Sequence, residues 1–171
     1  MKNLKTIIAV FGLLILTLPV KSEDNKKSFK NHEMNFYTGM FDFSDDGQRA
    51  SLFGIQHQNE SLFIDSFLGT ISPITGFMVT ENKAGYVYTG VQAHYKIGKL
   101  NIVPSFTPGI YGEGEGKDLG HPIEFKSEVQ LSIDLFSNSE VGFSYNHMSN
   151  ASLGEKNPGA NSYIFNFLKK F

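Results

Sequence analysis

The sequence predicts a single all-β domain, an eight-stranded antiparallel up-and-down barrel that crosses a membrane with its strands. Three observations carry this. Apolar and polar residues alternate through about eight segments, each near the roughly 10-residue length of a transmembrane strand. The connections between segments run short on one side and long on the other. The chain opens on an export-type segment and closes on an aromatic residue, Phe171.

Residues 1–22 read as a signal peptide. Lys2 and Lys5 precede an apolar run from Ile7 to Val20, broken by Gly12, Thr17 and Pro19, and Val20-Lys21-Ser22 places small residues at the two cleavage-reading positions. A membrane anchor is the competing reading, but it needs about 20 apolar residues, and Pro19 ends this run early. Removal of the segment takes Lys2, Lys5 and Lys21 with it and leaves the remainder more acidic than the formal −2 of the whole chain. Residues 23–32 are polar and lysine-rich, a flexible lead-in, and residues 33–171 form the barrel.

The strands are expected at 33–43, 48–58, 64–78, 85–97, 99–111, 123–136, 139–149 and 160–171. The sixth shows the pattern best. Phe125, Val129, Leu131, Ile133 and Leu135 share one face, and Glu124, Lys126, Glu128, Gln130, Ser132 and Asp134 share the other. In the seventh, Val141, Phe143 and Tyr145 alternate with Gly142, Ser144 and Asn146. The last places Tyr163, Phe165, Phe167 and Phe171 on one parity. The third, with Pro73 and Gly76, has the weakest pattern. Asn59-Glu60-Ser61, Ile97-Gly98-Lys99 and Ser137-Asn138-Ser139 read as tight turns. Gly112 to Pro122 and Asn150 to Gly159 read as long loops, which face outward when both termini are periplasmic.

Alternation does not say which face is inside. A soluble lipocalin-like barrel puts its apolar face inward. The export segment, the loop rhythm and the aromatic end favour the membrane arrangement. An eight-stranded barrel has room only for packed side chains, so Glu124, Lys126, Glu128 and Asp134 are expected to form an internal polar network rather than a pore.

Composition narrows the chemistry. Without cysteine there are no disulfides, thiol nucleophiles or thiolate zinc sites. There is no basic tract for nucleic acid. A mean hydropathy of −0.18 argues against membrane helices but not against strands, whose alternation averages out. Among His32, His57, His94, His121 and His147, no spacing with acidic partners suggests a metal site. Gly112-Glu-Gly-Glu-Gly116 lacks the following helix that a phosphate loop needs.

One pair stands apart. His147 and Ser149 are two apart on a strand, about 7 Å by strand rise, on the face of Val141, Phe143 and Tyr145. An unpaired histidine on a lipid-facing wall is costly unless it lies at the interface with a role. Serine with histidine is the minimal nucleophile and base. An interfacial pair that hydrogen-bonds headgroups is the plainer reading of spacing alone.

His147-Met-Ser149-Asn150-Ala151, followed by Asn157-Pro158-Gly159 and a closing aromatic strand, resembles the lipid A 3-O-deacylase (PagL-like) family of outer-membrane barrels. The resemblance starts near Leu119-Gly120 and runs through Glu124-Phe125 to the C terminus. It implies an esterase that removes the acyl chain at position 3 of lipid A in lipopolysaccharide, without metal or cofactor, at the external leaflet. It implies Ser149 as nucleophile, His147 as general base, and Asn157 as a side-chain oxyanion donor. The backbone N–H of Ser152, where the family often has Gly, is the second donor. The family's acidic triad position falls on Asn161, whose amide can orient the imidazole but carries no charge. Glu155, in the loop, is the alternative acid. Two other functions remain open at this level: a non-catalytic barrel that binds or senses lipid, and a soluble lipocalin-like binder of hydrophobic ligands. A homodimer is neither required nor excluded.

Overall fold

The computed structural model describes residues 32–59, 62–66 and 69–171. The signal peptide, most of the lead-in, and Glu60 and Ser61 of the first expected tight turn lie outside these residues. The strands are β1 (His32–Phe41), β2 (Ala50–Asn59), β3 (Ile64–Ser66), β4 (Gly69–Thr80), β5 (Gly85–Ala93), β6 (Tyr95–Ile97), β7 (Leu100–Gly112), β8 (Ile123–Phe136), β9 (Ser139–Ser149) and β10 (Ala160–Lys170). All pairings are antiparallel. Neighbour follows neighbour from β2 through β1, β10, β9, β8, β7 and β5 to β4, and β2 then pairs with β4 to close the sheet into an eight-stranded barrel. The predicted fold class is what the chain adopts.

Two expected strands differ in detail. The third begins at Gly69 and runs to Thr80, while Ile64–Ser66 folds back antiparallel on Gly69–Ile71. The connection between β2 and β4 therefore carries a small hairpin, and the alternation that read as one strand from residue 64 is split across it. The fourth is interrupted at His94, and both pieces, β5 and β6, still pair with β7.

The burial pattern settles which face is inside. Asn35, Gln56, Gln92, Thr107, Glu124, Lys126, Gln130, Asn146 and Asn166 are buried within the barrel. Phe53, Val87, Ile110, Leu131, Ile133, Phe143, Tyr163 and Phe165 are exposed on its outer wall. A water-soluble barrel arranged this way would present a continuous apolar belt to solvent, far beyond the few hundred Å² that soluble proteins expose. The lipocalin-like alternative is overturned on this ground.

Ion pairing and hydrogen bonding fill the interior. Lys126 Nζ lies 3.0 Å from Glu128 Oε2 and 4.3 Å from the centre of the Tyr88 ring. Asn146 donates to the same Glu128 oxygen at 3.2 Å. Asn35 bridges to Asn166 at 2.8 Å, and Asn166 donates to Ser144 at 3.0 Å. Pairing of this kind offsets the cost of burying charge. The expected internal network is thus present, with two corrections. Asp134 lies exposed at the rim and pairs with Lys96 at 3.0 Å. Glu124 is fully buried, yet its carboxyl oxygens make no hydrogen bond among the described residues.

At the end opposite His32 and Phe171, four connections are tied together. Lys117, after β7, ion-pairs with Asp42, after β1. Lys83, between β4 and β5, pairs with Glu115. Lys156, after β9, pairs with Asp118. Lys156 and the Gly120 N–H hold the Asp118 carboxyl below the usual carboxylate range. These ties hold the loop end of β9 and β10 in place.

Candidate active site

His147 and Ser149 stand on the outward parity of β9, and Asn161 stands on the outward parity of β10. The two strands pair with His147 directly opposite Asn161. That register follows from the sequence pattern, since a slip of one residue would turn the aromatic faces of both strands inward. His147 Nδ1 lies 2.9 Å from Asn161 Oδ1, and the Tyr145 hydroxyl donates to the same oxygen at 2.8 Å. A carbonyl oxygen only accepts, so His147 carries its proton on Nδ1. In the neutral ring Nε2 then keeps its lone pair, the form a general base requires. Ser149 is opposite Phe125 of β8, and its hydroxyl makes no hydrogen bond to the described residues.

The imidazole rests over a glycine. A Cβ on Gly159 would lie 2.9 Å from His147 Cε1 and 3.5 Å from Nε2, and Gly159 has φ +66°. Only glycine adopts that backbone without strain while leaving the ring its place.

The loop after β9 is built on Asn150, which is fully buried. Its Nδ2 donates to Leu119 O and Lys156 O, both at 2.8 Å. Its Oδ1 accepts from the Ser152 N–H at 2.9 Å, and its own N–H donates to Asn157 Oδ1 at 3.1 Å. That last bond fixes the Asn157 amide: Oδ1 turns inward and Nδ2 is the donor left over. The Ser152 N–H is taken by Asn150 Oδ1. Ser152 also holds φ +64°, a left-handed conformation that suits glycine. Glu155 is exposed and has no side-chain partner among the described residues; Asn161, not Glu155, touches His147.

Sequence reasoning missed four contributors. Tyr145 was legible, being two residues before His147 on the same face. Asn150 was read only as part of a motif. Asp42 and Ser44 had no local signal, for they reach Asn161 only because β1 pairs with β10. Among the described residues, no cluster of His, Asp and Glu is arranged to hold a metal ion.

A closed eight-stranded barrel with a polar interior and an apolar outer wall, on whose outward parity Ser149, His147 and Asn161 stand, defines an outer-membrane β-barrel. The chain belongs to the lipid A 3-O-deacylase (PagL) family, whose model matches residues 53–170. The match reaches well upstream of Leu119, into strands where the sequence showed only count and loop order. The crystal structure of the outer membrane enzyme PagL is similar with a TM-score of 0.63 and 16% identity, covering 81% of this chain and 99% of that one. A de novo designed transmembrane barrel, TMB2.3, is similar with a TM-score of 0.58 and 6% identity, covering 86% of this chain and 98% of that one. At these identities the likeness is one of fold. No curated protein matches the chain by sequence. Neither the family nor the fold speaks for a homodimer.

Proposed function

We propose that the protein is an outer-membrane esterase that removes the 3-O-linked acyl chain of lipid A, with Ser149 as nucleophile and His147 as general base. The observation that carries this reading is the His147 Nδ1 to Asn161 Oδ1 hydrogen bond, on the lipid-facing wall and beside a serine hydroxyl with no partner of its own.

The acyl ester lies along the wall formed by Phe125, Phe143, Tyr163 and Phe165. His147 Nε2 takes the Ser149 proton as Oγ attacks the ester carbonyl. Charge builds on the carbonyl oxygen, where Asn157 Nδ2 donates to it. The tetrahedral adduct collapses, the His147 proton passes to the departing sugar 3-oxygen, and an acyl-serine remains. Water then attacks the acyl-serine with His147 again as base, releasing the free fatty acid and restoring Ser149. The loop end of β9 is the end expected at the external leaflet, where lipid A resides, and export by the N-terminal segment would bring the chain there.

The test is mass spectrometry of lipid A from cells that make the protein. Lipid A is expected to lose one 3-O-acyl mass, with the matching fatty acid released. Unchanged lipid A with folded, inserted protein would overturn the proposal and leave the lipid-binding reading, which the neutral Asn161 favours.

The same geometry predicts the outcome of Gly159→Ala. The new methyl meets the imidazole at 2.9 Å, and a left-handed alanine adds strain of about 1–2 kcal/mol. Deacylation is expected to fall by about tenfold or more, since displacements near 1 Å can cost up to about 10²-fold. Heat-modified gel mobility, which reports a folded barrel, is expected to stay the same. Full activity in this variant would show that the ring position does not matter.

A further inference from the structure

The orientation of Asn161 is itself determined from outside the catalytic group. The chain turns back on itself directly after β1, with Asp42 at φ +47°, a conformation that aspartate tolerates better than most residues. The turn folds over the start of β10. Phe43 stacks on Tyr163 with ring centres 3.8 Å apart. The Phe43 N–H donates to Asn161 O at 3.0 Å, and the Asn161 N–H donates to Asp42 Oδ1 at 3.3 Å. Asn161 Nδ2 donates to Ser44 Oγ at 3.1 Å, and the Ser44 hydroxyl donates to Asp42 Oδ1 at 3.2 Å. Lys117 is ion-paired at the other Asp42 oxygen and lies 3.5 Å from Asp45. The Asp42 side chain is essentially inaccessible.

A directional argument runs through these contacts. Ser44 has one hydroxyl proton, and a carboxylate is the strongest acceptor in reach, since charge-assisted bonds are roughly twice as strong as neutral ones. With that proton on Asp42, Ser44 Oγ can only accept, so it must face an N–H. The amide of Asn161 therefore places Nδ2 toward Ser44 and Oδ1 toward His147. Oδ1 requires a proton on His147 Nδ1. With the amide reversed, Nδ2 would face His147, the ring proton would move to Nε2, and the base lone pair would be lost. The charged and titratable groups facing this chain are Lys117, Asp45 and, through the Phe43 carbonyl, Arg49 on the loops, and Tyr145 and His147 on β9. Tyr145 satisfies either amide orientation, because a hydroxyl both donates and accepts. Lys117 offsets the Asp42 charge at Oδ2 and leaves Oδ1 to receive Ser44.

We infer that Asp42 and Ser44 are positioning residues that set the tautomer of His147 through Asn161, so that a neutral carboxamide does the orienting work of an acid. The inference rests on the reading of His147 as a general base. Its test reads the tautomer directly and does not depend on catalysis. The full barrel is labelled with ¹⁵N-histidine in detergent micelles at a pH of about 8.5, where ordinary imidazoles are neutral, and His147 is assigned by loss of its signals in His147→Gln.

Wild type is expected to show the Nδ1–H form. Ser44→Ala removes the acceptor for Nδ2 and is expected to give a mixture with a large Nε2–H fraction. Asp42→Asn is expected to do the same. Ser44→Ala combined with Asn161→Glu is expected to restore Nδ1–H, because a carboxylate accepts from either oxygen. In turnover, Ser44→Ala is expected to lower kcat about tenfold with KM unchanged, less than the ~10⁴ of a fixed wrong tautomer. An Nε2–H form in wild type, or an unchanged tautomer in Ser44→Ala, overturns the inference. Nδ1–H in wild type and a mixture in Ser44→Ala, with lipid A left intact by wild type, would sustain the positioning role and overturn the esterase proposal instead.

Discussion

Ser149→Ala is expected to cut release of the 3-O-acyl chain to less than about a thousandth of wild-type turnover. In serine hydrolases generally, loss of the nucleophile or its base costs about 10⁶ in kcat, with a residual rate from the oxyanion site and substrate binding. Here Asn157 keeps its orientation without Ser149, because Asn150 N–H fixes it, so a small residual rate is expected rather than none. His147→Ala should be comparably severe. The double variant should be no worse than either single one, since the two groups perform one proton transfer and one attack as a unit. Lipid A mass spectrometry over a long time course measures all three. Neither change touches the barrel interior, so all three proteins should insert and show wild-type heat-modified gel mobility. Activity retained in Ser149→Ala would place the nucleophile elsewhere, and multiplicative losses in the double variant would show that the two residues act separately.

Asn150→Ala is expected to cost about 10²-fold in kcat while the barrel stays folded. The side chain is fully buried and serves three backbone groups: Leu119 O, Lys156 O and the Ser152 N–H. Truncation leaves each without its partner, at about 1–3 kcal/mol for a group that stays buried. The loop relieves this by shifting toward water. Asn157 follows, since it is held by the Asn150 N–H, and an oxyanion donor out of place typically costs 10²–10³ in kcat. Asn150→Asp separates the contributions. It keeps the acceptor for Ser152 but turns a buried carboxylate oxygen toward Leu119 O and Lys156 O, so a loss at least as large as that of Asn150→Ala is expected. Turnover within twofold of wild type in Asn150→Ala would show that the loop is not organised by this side chain.

Much of this protein could be read from periodicity. A strand exposes its period of two in the sequence itself, so the sixth segment, Glu124 to Leu135, showed both its faces. The eight barrel strands fall close to their expected places wherever the alternation was unbroken. It failed at Ile64–Ser66, where a hairpin keeps the alternation while reversing direction, and at His94, where the break in β5 has no compositional mark. His147, Ser149, Asn157 and Asn161 were legible because they lie within fifteen residues of one another on one hairpin, where spacing and face translate directly into proximity.

What the sequence determined by itself was therefore the strand set, their faces and the hairpin that carries the candidate residues. The tertiary structure decided the rest. Closure of the barrel chose the inside: Lys126, Glu128 and Asn146 meet there because the narrow interior packs their side chains against one another. Pairing of β1 with β10 brought Asp42 and Ser44 onto Asn161 across a separation of 119 and 117 residues. Hydrogen bonds within the β9–β10 loop turned the Asn157 amide outward and took the Ser152 N–H for Asn150. Periodicity records which way a side chain faces, but a hydrogen bond depends on which distant atom arrives within about 3 Å, and only the closed barrel determines that.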